Sequence, residues 1–375
     1  MWFHGASAGD LSTLAPMMRA LKEARPEVFL IVTCVTNSGA AMARQLPEVD
    51  LFLYLPFDLP GATRRAARVL RPSLVVLEYT EIWPLLIRAL GGVGAKLVLT
   101  NGRFDQEKLW RYRWLFAFTG RPLERLDLLL MREDSEAERA LALGAHPDKV
   151  WVTGSTKFDA LVSGRPVDDD ALRAGLGLRE GAPVWLAGST HEGEEALLLE
   201  LHAALRRRHP DLQLVLAPRY LERVERVRGL VEAAGFQARL RSEPPAGRSA
   251  GRPEVVILDT IGELSAAYAF ADVVFVGGSF TQRGGQNMLE PAARGRPVLF
   301  GPNTHNFTDV VQFLAGRGGI QVSDPAHLQR VLGDLLERPP QREALGALAR
   351  ETVMGLTGAS ARNIQHILTL WEGPR

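Results

Sequence analysis

The sequence predicts an α/β protein built from two tandem doubly wound, Rossmann-like domains. Three observations predict it. Short β-branched apolar runs alternate with helical patterns, which indicates parallel sheets covered on both faces. The alternation starts afresh after Ser163-Gly164-Arg165-Pro166-Val167-Asp168-Asp169-Asp170, a Gly/Pro and acidic segment of linker type. The chain has 375 residues, too many for one ordinary domain and enough for two with separate cores. The expected division is an N-terminal domain over 1–165, a second over 166–355 and a C-terminal helix over 356–375.

In the first half the strand candidates are 30–36, 74–77, 96–100, 128–131 and 150–153. They follow a short first strand before His4, and helical patterns at 11–24 and 62–70 lie between them. In the second half the strand candidates are 184–187, 212–216, 255–258, 273–276 and 297–300, with helices at 194–207 and 221–234. One more helix is expected at 359–371. Residues 239–253 have loop composition, and no short fixed-period repeat is present.

The charge is nearly balanced, 44 Lys+Arg against 43 Asp+Glu, which argues against a dominant nucleic-acid role. The one cysteine, Cys34, excludes an intramolecular disulfide and a Cys-based zinc site, and fits a reducing compartment. No apolar run reaches the roughly 18 residues of a membrane span, and no signal peptide is visible. A soluble or surface-associated cytoplasmic protein is expected.

In open α/β sheets ligands bind at the carboxyl ends of strands, and several polar clusters fall there. His4-Gly5-Ala6-Ser7-Ala8-Gly9-Asp10 links the first strand to the first helix. Asp10 is either a first-turn carboxylate that stabilises the helix dipole or a base facing the cleft. In Gly188-Ser189-Thr190-His191-Glu192-Gly193-Glu194-Glu195, Ser189 or Thr190 is expected to cap the next helix, and His191 has no second His at metal spacing. Arg219, after Pro218, is either a phosphate ligand or a surface residue. Asp259-Thr260-Ile261-Gly262-Glu263-Leu264 also joins a strand to a helix.

The segment from Gly277 to Pro291 carries four glycines between a strand and a helix. Its backbone N–H groups are expected to hold a phosphate, with Glu290 accepting from ribose hydroxyls. The acidic run Asp168-Asp169-Asp170 matches a metal pattern but reads as solvated linker charge. No Walker or Gly-x-Gly-x-x-Gly segment occurs. Lys108-Leu109-Trp110-Arg111-Tyr112-Arg113-Trp114-Leu115-Phe116-Ala117-Phe118 interleaves aromatic and basic residues, with Arg121, Arg125, Arg64, Arg65, Arg68 and Arg71 in the same half. It is either a surface for anionic lipid or a helix with its aromatics packed inward.

Taken in order, these clusters resemble the Kdo (3-deoxy-manno-octulosonic acid) transferase family. The likeness runs through Ser7-Ala8-Gly9-Asp10, Leu55-Pro56-Phe57-Asp58, Thr80-Glu81-Ile82-Trp83-Pro84, Asn101-Gly102-Arg103 and Gly154-Ser155-Thr156-Lys157-Phe158-Asp159. It continues through Ser189 to Glu195, Pro218-Arg219, Asp259 to Leu264, Gly277 to Pro291 and Gly301-Pro302 with Asn306-Phe307.

The resemblance implies an inverting glycosyltransferase of the GT-B type that needs no metal and no cofactor beyond CMP-Kdo as donor. The implied acceptor is a lipid A precursor (lipid IVA) in lipopolysaccharide biosynthesis. Asp10 takes the position of the general base and Lys157 that of the charge stabiliser. CMP contacts fall to Pro218, Arg219, Ile261, Gly262, Glu263, Ser279, Asn287, Met288, Leu289 and Glu290, and the acceptor cleft to Ser7, Tyr79, Glu81 and Arg103. The implied place is the cytoplasmic face of the inner membrane. The family's N-terminal anchor is missing here: either the start is placed late or the protein docks only through its surface, and peripheral docking on an anionic membrane surface is the expectation, with no nucleic-acid partner.

Four positions depart from the family pattern. Asp10 stands for the usual Glu, Tyr79 precedes Thr80-Glu81 where the family has Glu, and Tyr220 and Gln286 replace histidines. Glu78 lies one place too early, and a one-residue slip in a strand turns a side chain to the other face. Two other readings stay open: a divergent glycosyltransferase with another nucleotide sugar or acceptor, and a weakly active CMP- or lipid-binding homologue.

Overall fold

The computed structural model describes residues 1–162, 169–243 and 254–373. Two compact units result, one of Met1–Ala160 with Leu356–Arg375 and one of Leu161–Gly355. The closing helix thus belongs to the first unit. Most of the expected linker, 163–168, lies outside the described residues, and a helix at Asp169–Leu176 takes up its last two positions. Much of the expected loop, 244–253, also lies outside them.

The first unit holds seven strands: β1 (Trp2–His4), β2 (Ile31–Cys34), β3 (Leu51–Tyr54), β4 (Leu74–Glu78), β5 (Lys96–Gly102), β6 (Leu128–Met131) and β7 (Val150–Val152). They form one sheet in the order β3-β2-β1-β4-β5-β6-β7. All pairs are parallel, with Phe3 opposite both Val32 and Val76. Side chains alternate across the pleat. Trp2, Val75, Leu77, Leu97 and Leu99 fall in one hydrophobic cluster, and Phe3, Leu74, Val76 and Val98 in another. The second cluster is shared with Leu14, Met17 and Leu21 of the helix Ala8–Ala24 and with Ile364 and Ile367 of the helix Ala359–Glu372.

The second unit repeats the plan with β8 (Val184–Thr190), β9 (Gln213–Pro218), β10 (Ala238–Leu240), β11 (Val255–Ile257), β12 (Val273–Val276), β13 (Val298–Phe300) and β14 (Gly319–Gln321). The order is β10-β11-β9-β8-β12-β13-β14, again parallel. Trp185, Leu214, Leu216, Val273 and Phe275 are fully buried in a hydrophobic cluster shared with its helices. Each sheet reverses its strand order once, at β1/β4 and at β8/β12, and each reversal opens a crevice at the strand carboxyl ends.

Three strands were not expected. β3 is an apolar run like the other strands, but it lies at the edge of the sheet with Leu53 and Tyr54 exposed. β10 and β14 have three residues each and are not apolar runs, since Arg239 sits in the first and Gly319 and Gln321 form the ends of the second. Arg239 and Leu240 therefore lie in a strand rather than a loop, added as the last member of the second sheet.

Two family-motif residues have structural work. Asp58 accepts from Leu85 N (3.2 Å) and Leu86 N (2.8 Å) and so stops the first turn of the helix Pro84–Gly91 from fraying. Asp159 accepts from Gly358 N and Ser360 N, 2.6 Å each, and so anchors the closing helix by its N-terminus. Replacing Asp159 with Ala leaves both donors unpaired where water reaches poorly. Asp159→Ala is expected to cost about 1–2 kcal/mol in urea unfolding, with Asp159→Asn recovering part of it.

Candidate functional site

At the crevice of the first sheet, β1 ends at His4 and Gly5 turns the chain into the first helix. A Cβ at Gly5 would sit 2.8 Å from the Asp10 Cβ, so only glycine allows this close approach. Ser7 is the N-cap, and Asp10 closes a capping box. Asp10 Oδ2 accepts from Ser7 N at 2.9 Å and Ser7 Oγ at 3.2 Å, and the half-buried carboxylate lies in the first helical turn. The dipole-stabilising role of Asp10 is thus realised, and Ser7 spends its polar groups on the cap.

His4 is fully buried beneath this turn. Its Nδ1 lies 3.1 Å from Thr33 O and 3.0 Å from Thr33 Oγ1, and its Nε2 lies 3.1 Å from Glu81 Oε2. A carboxylate oxygen only accepts, so Nε2 carries the hydrogen toward Glu81, and Nδ1 accepts from the Thr33 hydroxyl, which itself accepts from Trp2 Nε1. Glu81 Oε2 also accepts from Trp83 Nε1 at 2.9 Å, so the Glu81 carboxylate is held from two sides. Tyr79 has a left-handed backbone (φ 53°) and donates its N–H to Thr100 O at 2.9 Å. Burial, and then the nearby Glu78 charge, push its phenol up to about 12, so Tyr79 keeps its proton at neutral pH. Arg103 is exposed, and its carbonyl accepts from Thr80 Oγ1 at 3.1 Å.

Beneath Tyr79 sits a group assigned to no site from the sequence. Glu78 ends β4 and is fully buried. Its Oε1 faces Thr13 Oγ1 (2.8 Å) and Asn101 Nδ2 (2.5 Å), and its Oε2 faces Thr100 Oγ1 (2.5 Å). Asn101 in turn bonds both Thr156 Oγ1 and Thr156 N, the latter at 3.0 Å. Thr156 opens the helix Thr156–Val162, whose second residue is the half-buried Lys157. The signal in the sequence was a carboxylate closing a run of four apolar strand residues. Its inward direction follows from the slip that separates it from Tyr79.

In the second sheet the backbone nest at the end of β12 is filled by the protein itself. Glu194 is almost fully buried and accepts four backbone N–H groups: His191 (2.9 Å), Gly278 (2.8 Å), Ser279 (3.1 Å) and Phe280 (3.0 Å). The expectation that the start of the Gly277 segment offers its N–H groups to a phosphate is therefore corrected, because a carboxylate from the same chain fills the nest. Capping by Ser189 or Thr190 is corrected too. The cap is Gly193 (φ 95°), and Thr190 Oγ1 instead donates to the buried Glu195 at 3.0 Å. Arg223 grips Glu195 with two bonds, 2.7 and 3.1 Å.

The glycines have internal reasons as well. A Cβ on Gly277 would meet Ser189 O at 2.6 Å, and one on Gly284 would meet Asn306 Nδ2 at 2.6 Å.

The expected CMP contacts divide in two. Ser279 has every polar group engaged: its N–H by Glu194, its Oγ by Val276 O (2.6 Å) and Gly301 N (2.9 Å), and its carbonyl by Asn303 N (3.0 Å). It belongs to the frame. Pro218, Met288 and Leu289 are buried, so their side chains face the core and only backbone is left to meet a ligand.

Arg219 is exposed, with its guanidinium 5.8 Å from the Tyr220 ring centre. Ile261 is 80% exposed, Gly262 has φ 90°, and Glu263 bonds Arg241 at 3.1 Å. Asn287 Nδ2 ties Glu290 Oε1 (2.8 Å) to Leu161 O (2.6 Å), and burial raises the Glu290 carboxyl above its usual range.

His191 reports the field at these strand ends. Its ring is buried against Tyr220 (5.6 Å, edge-on), with Nε2 3.2 Å from Gln286 Nε2. Burial lowers its basicity, and the positive charges of Arg283, Arg223 and Arg219 lower it further. Arg223 already has its carboxylate. Arg219 and Arg283 leave a net positive crevice, which is what a phosphate needs.

On the first unit, the helix Leu109–Thr119 points its aromatics outward. Trp110, Trp114 and Phe118 are 60, 64 and 78% exposed, and Trp114 stacks on Phe118. Inward packing of all the aromatics is thereby excluded; only Phe116 is buried. Arg64, Arg65, Arg68 and Arg71 are exposed along and just beyond the helix Pro60–Leu70. Ala67 of that helix shares a hydrophobic cluster with Phe116, so both helices cover the same face of the sheet. Among the described residues no helix is long and apolar enough to cross a membrane.

Burial raises the Glu78 carboxyl from 4.5 to about 7, and the Asp10 charge adds to the rise. Between those values the folded chain holds a proton that the unfolded chain has released. Stability therefore falls as pH rises from about 4.5 to 7, by about 3 kcal/mol in all. Urea midpoints at pH 5 and pH 8 are expected to show this decline in the wild type. In Glu78→Gln, which cannot titrate, the decline shrinks by that amount.

Residues 1–160 match the family model described as 3-deoxy-D-manno-octulosonic-acid transferase (kdotransferase). The 3-deoxy-D-manno-octulosonic acid transferase of Haemophilus influenzae is 31% identical over 96% of this chain and 85% of its own length. That of Bordetella pertussis is 33% identical over 100% of this chain and 87% of its own length. Among solved structures, the UDP-GlcNAc 2-epimerase of Neisseria meningitidis bound to UDP-GlcNAc covers 98% of this chain and 99% of its own, with TM-score 0.63. At 14% identity that likeness is one of fold, the two-unit α/β architecture of GT-B type. The two full-length relatives carry the conclusion: this chain belongs to the 3-deoxy-D-manno-octulosonic acid transferase family and is a glycosyltransferase.

Proposed function

We propose that this enzyme transfers Kdo from CMP-Kdo to a lipid A precursor, lipid IVA, in lipopolysaccharide biosynthesis. The observation that carries the donor half is the positive crevice at the ends of β8, β9 and β12. Its nest is filled by Glu194, so phosphate recognition falls to Arg219 and Arg283. Ile261, Gly262 and Glu263 form an exposed turn beyond β11 that suits a base or ribose edge. Glu290, kept in place by Asn287, accepts from a ribose hydroxyl.

In this reading the acceptor hydroxyl gives its proton to Asp10 as its oxygen attacks the anomeric carbon. The bond from that carbon to the phosphate oxygen breaks, and CMP leaves as an anion. Lys157 offsets the charge that develops, and attack opposite to the leaving group inverts the centre. Asp10 keeps Oδ2 in the capping box, and Oδ1 is the oxygen assigned to the task. No metal step is required, since arginine and lysine charge does the electrostatic work.

The exposed Trp110, Trp114 and Phe118, with the arginines on and just beyond the helix Pro60–Leu70 of the same sheet face, suit an interfacial position on an anionic membrane. Such docking would bring the chain to a lipid acceptor at the cytoplasmic face of the inner membrane.

Labelled Kdo is expected to pass from CMP-Kdo to lipid IVA with the purified chain, and Asp10→Asn is expected to lower kcat by about 10²-fold or more. Normal turnover by that variant would remove Asp10 from the mechanism. Arg219→Ala is expected to weaken CMP binding by about tenfold in calorimetry, with the unfolding midpoint unchanged because its side chain supports no core contact.

A further inference from the structure

Asp10 and Lys157 come from helices far apart in the chain, and one buried cluster connects them. Thr13, one turn beyond Asp10, places its hydroxyl 2.8 Å from Asp10 O and 2.8 Å from Glu78 Oε1. On the other side, the Asn101 amide touches Glu78 through Nδ2 and grips Thr156 at both its hydroxyl and its N–H. Lys157 is the next residue. Glu78, Thr100, Asn101 and Thr156 are all fully buried. Asn101 is held at φ 50°, a left-handed conformation that costs a non-glycine residue and persists only where its surroundings enforce it.

We propose that Glu78 is a positioning residue for the transfer reaction: its carboxyl, through Thr13 and through Asn101 and Thr156, sets the first turn that bears Asp10 and the first turn that bears Lys157. This inference rests on the roles given to Asp10 and Lys157 above. It adds to them a residue that touches neither substrate.

The proton count gives the cluster two states. Thr13 has one hydroxyl proton and two facing acceptors. A charged Glu78 draws that proton to itself. A neutral Glu78 donates its own to a threonine oxygen and releases Thr13 to bond the Asp10 carbonyl. The titratable groups acting on Glu78 are Asp10, from the first helix, and Tyr79, next in the chain. β5 and the Thr156 helix contribute the uncharged partners Thr100, Asn101 and Thr156. The switch falls near neutral pH, where burial places the Glu78 carboxyl.

The test measures initial rates of Kdo transfer to lipid IVA in mixed micelles from pH 5.5 to 8.5. It adds backbone amide exchange of residues 10–13 and 156–158. Glu78→Gln cannot titrate and so holds the cluster in one state at every pH, with a carbonyl for Asn101 and an N–H for Thr100. The wild type is expected to show an inflection in kcat near pH 7 that Glu78→Gln lacks, with KM for CMP-Kdo within about twofold.

Thr13→Val cuts only the link to the Asp10 turn. It is expected to lower kcat about tenfold at unchanged KM and to speed exchange at residues 10–13 but not at 156–158. If Glu78→Gln does not fold, Thr13→Val decides alone. Persistence of the inflection in Glu78→Gln, or wild-type kcat and exchange in Thr13→Val, overturns the proposal. Absence of turnover in the wild type overturns the transfer reading instead, and amide exchange in both variants then decides whether Glu78 holds the two turns.

Discussion

A carboxylate taken out of water must be given donors, and both sheets of this protein are organised around one such debt. In the first unit it is Glu78 at the end of β4, met by two hydroxyls and an amide. In the second it is Glu194, met by four backbone N–H groups. Each stands at the place where its sheet reverses strand order. Removing either partner set would leave a buried charge or buried donors uncompensated, a change worth several kcal/mol. The loops around each crevice therefore have their shape set from beneath.

That arrangement changes how the donor crevice works. A glycine-rich turn after a buried strand normally invites a phosphate into its N–H nest. Here the nest is occupied, and its stability no longer depends on ligand. In the proposed reading, anion recognition passes to the side chains of Arg219 and Arg283. Glu195 and Arg223 act as the foundation: a bidentate buried pair that holds the turn after β9 against the start of the helix Glu194–Arg206.

The first unit shows the complementary case. Its reactive candidates are small displacements on a rigid base. Asp10 is pinned through one oxygen by its own N-cap, and Glu81 is pinned by His4 and Trp83. The shorter reach of Asp compared with Glu is set against a first turn tied down by Thr13 and Glu78. The outer surface of the same unit is looser in design: Trp110, Trp114 and Phe118 stand in solvent, and four arginines are exposed on and just beyond another helix that covers the same sheet face.

The alternation of apolar strands and helices was legible in the sequence because parallel strands buried on both faces must be apolar throughout. So was the restart that makes two units, and so was the ordered set of motifs that carries the family. The short strands β10 and β14 escaped because Arg239, Gly319 and Gln321 break their apolar runs, and β3 escaped although its four residues are all apolar. What the tertiary structure alone decided is which polar groups face a ligand and which face each other. Ser279, Glu194 and Glu78 look alike in a string of letters from any other serine or glutamate near a turn. Their partners, Gly301, Gly278 and Asn101, come from distant parts of the chain, and only folding brings a donor within three ångströms of its acceptor.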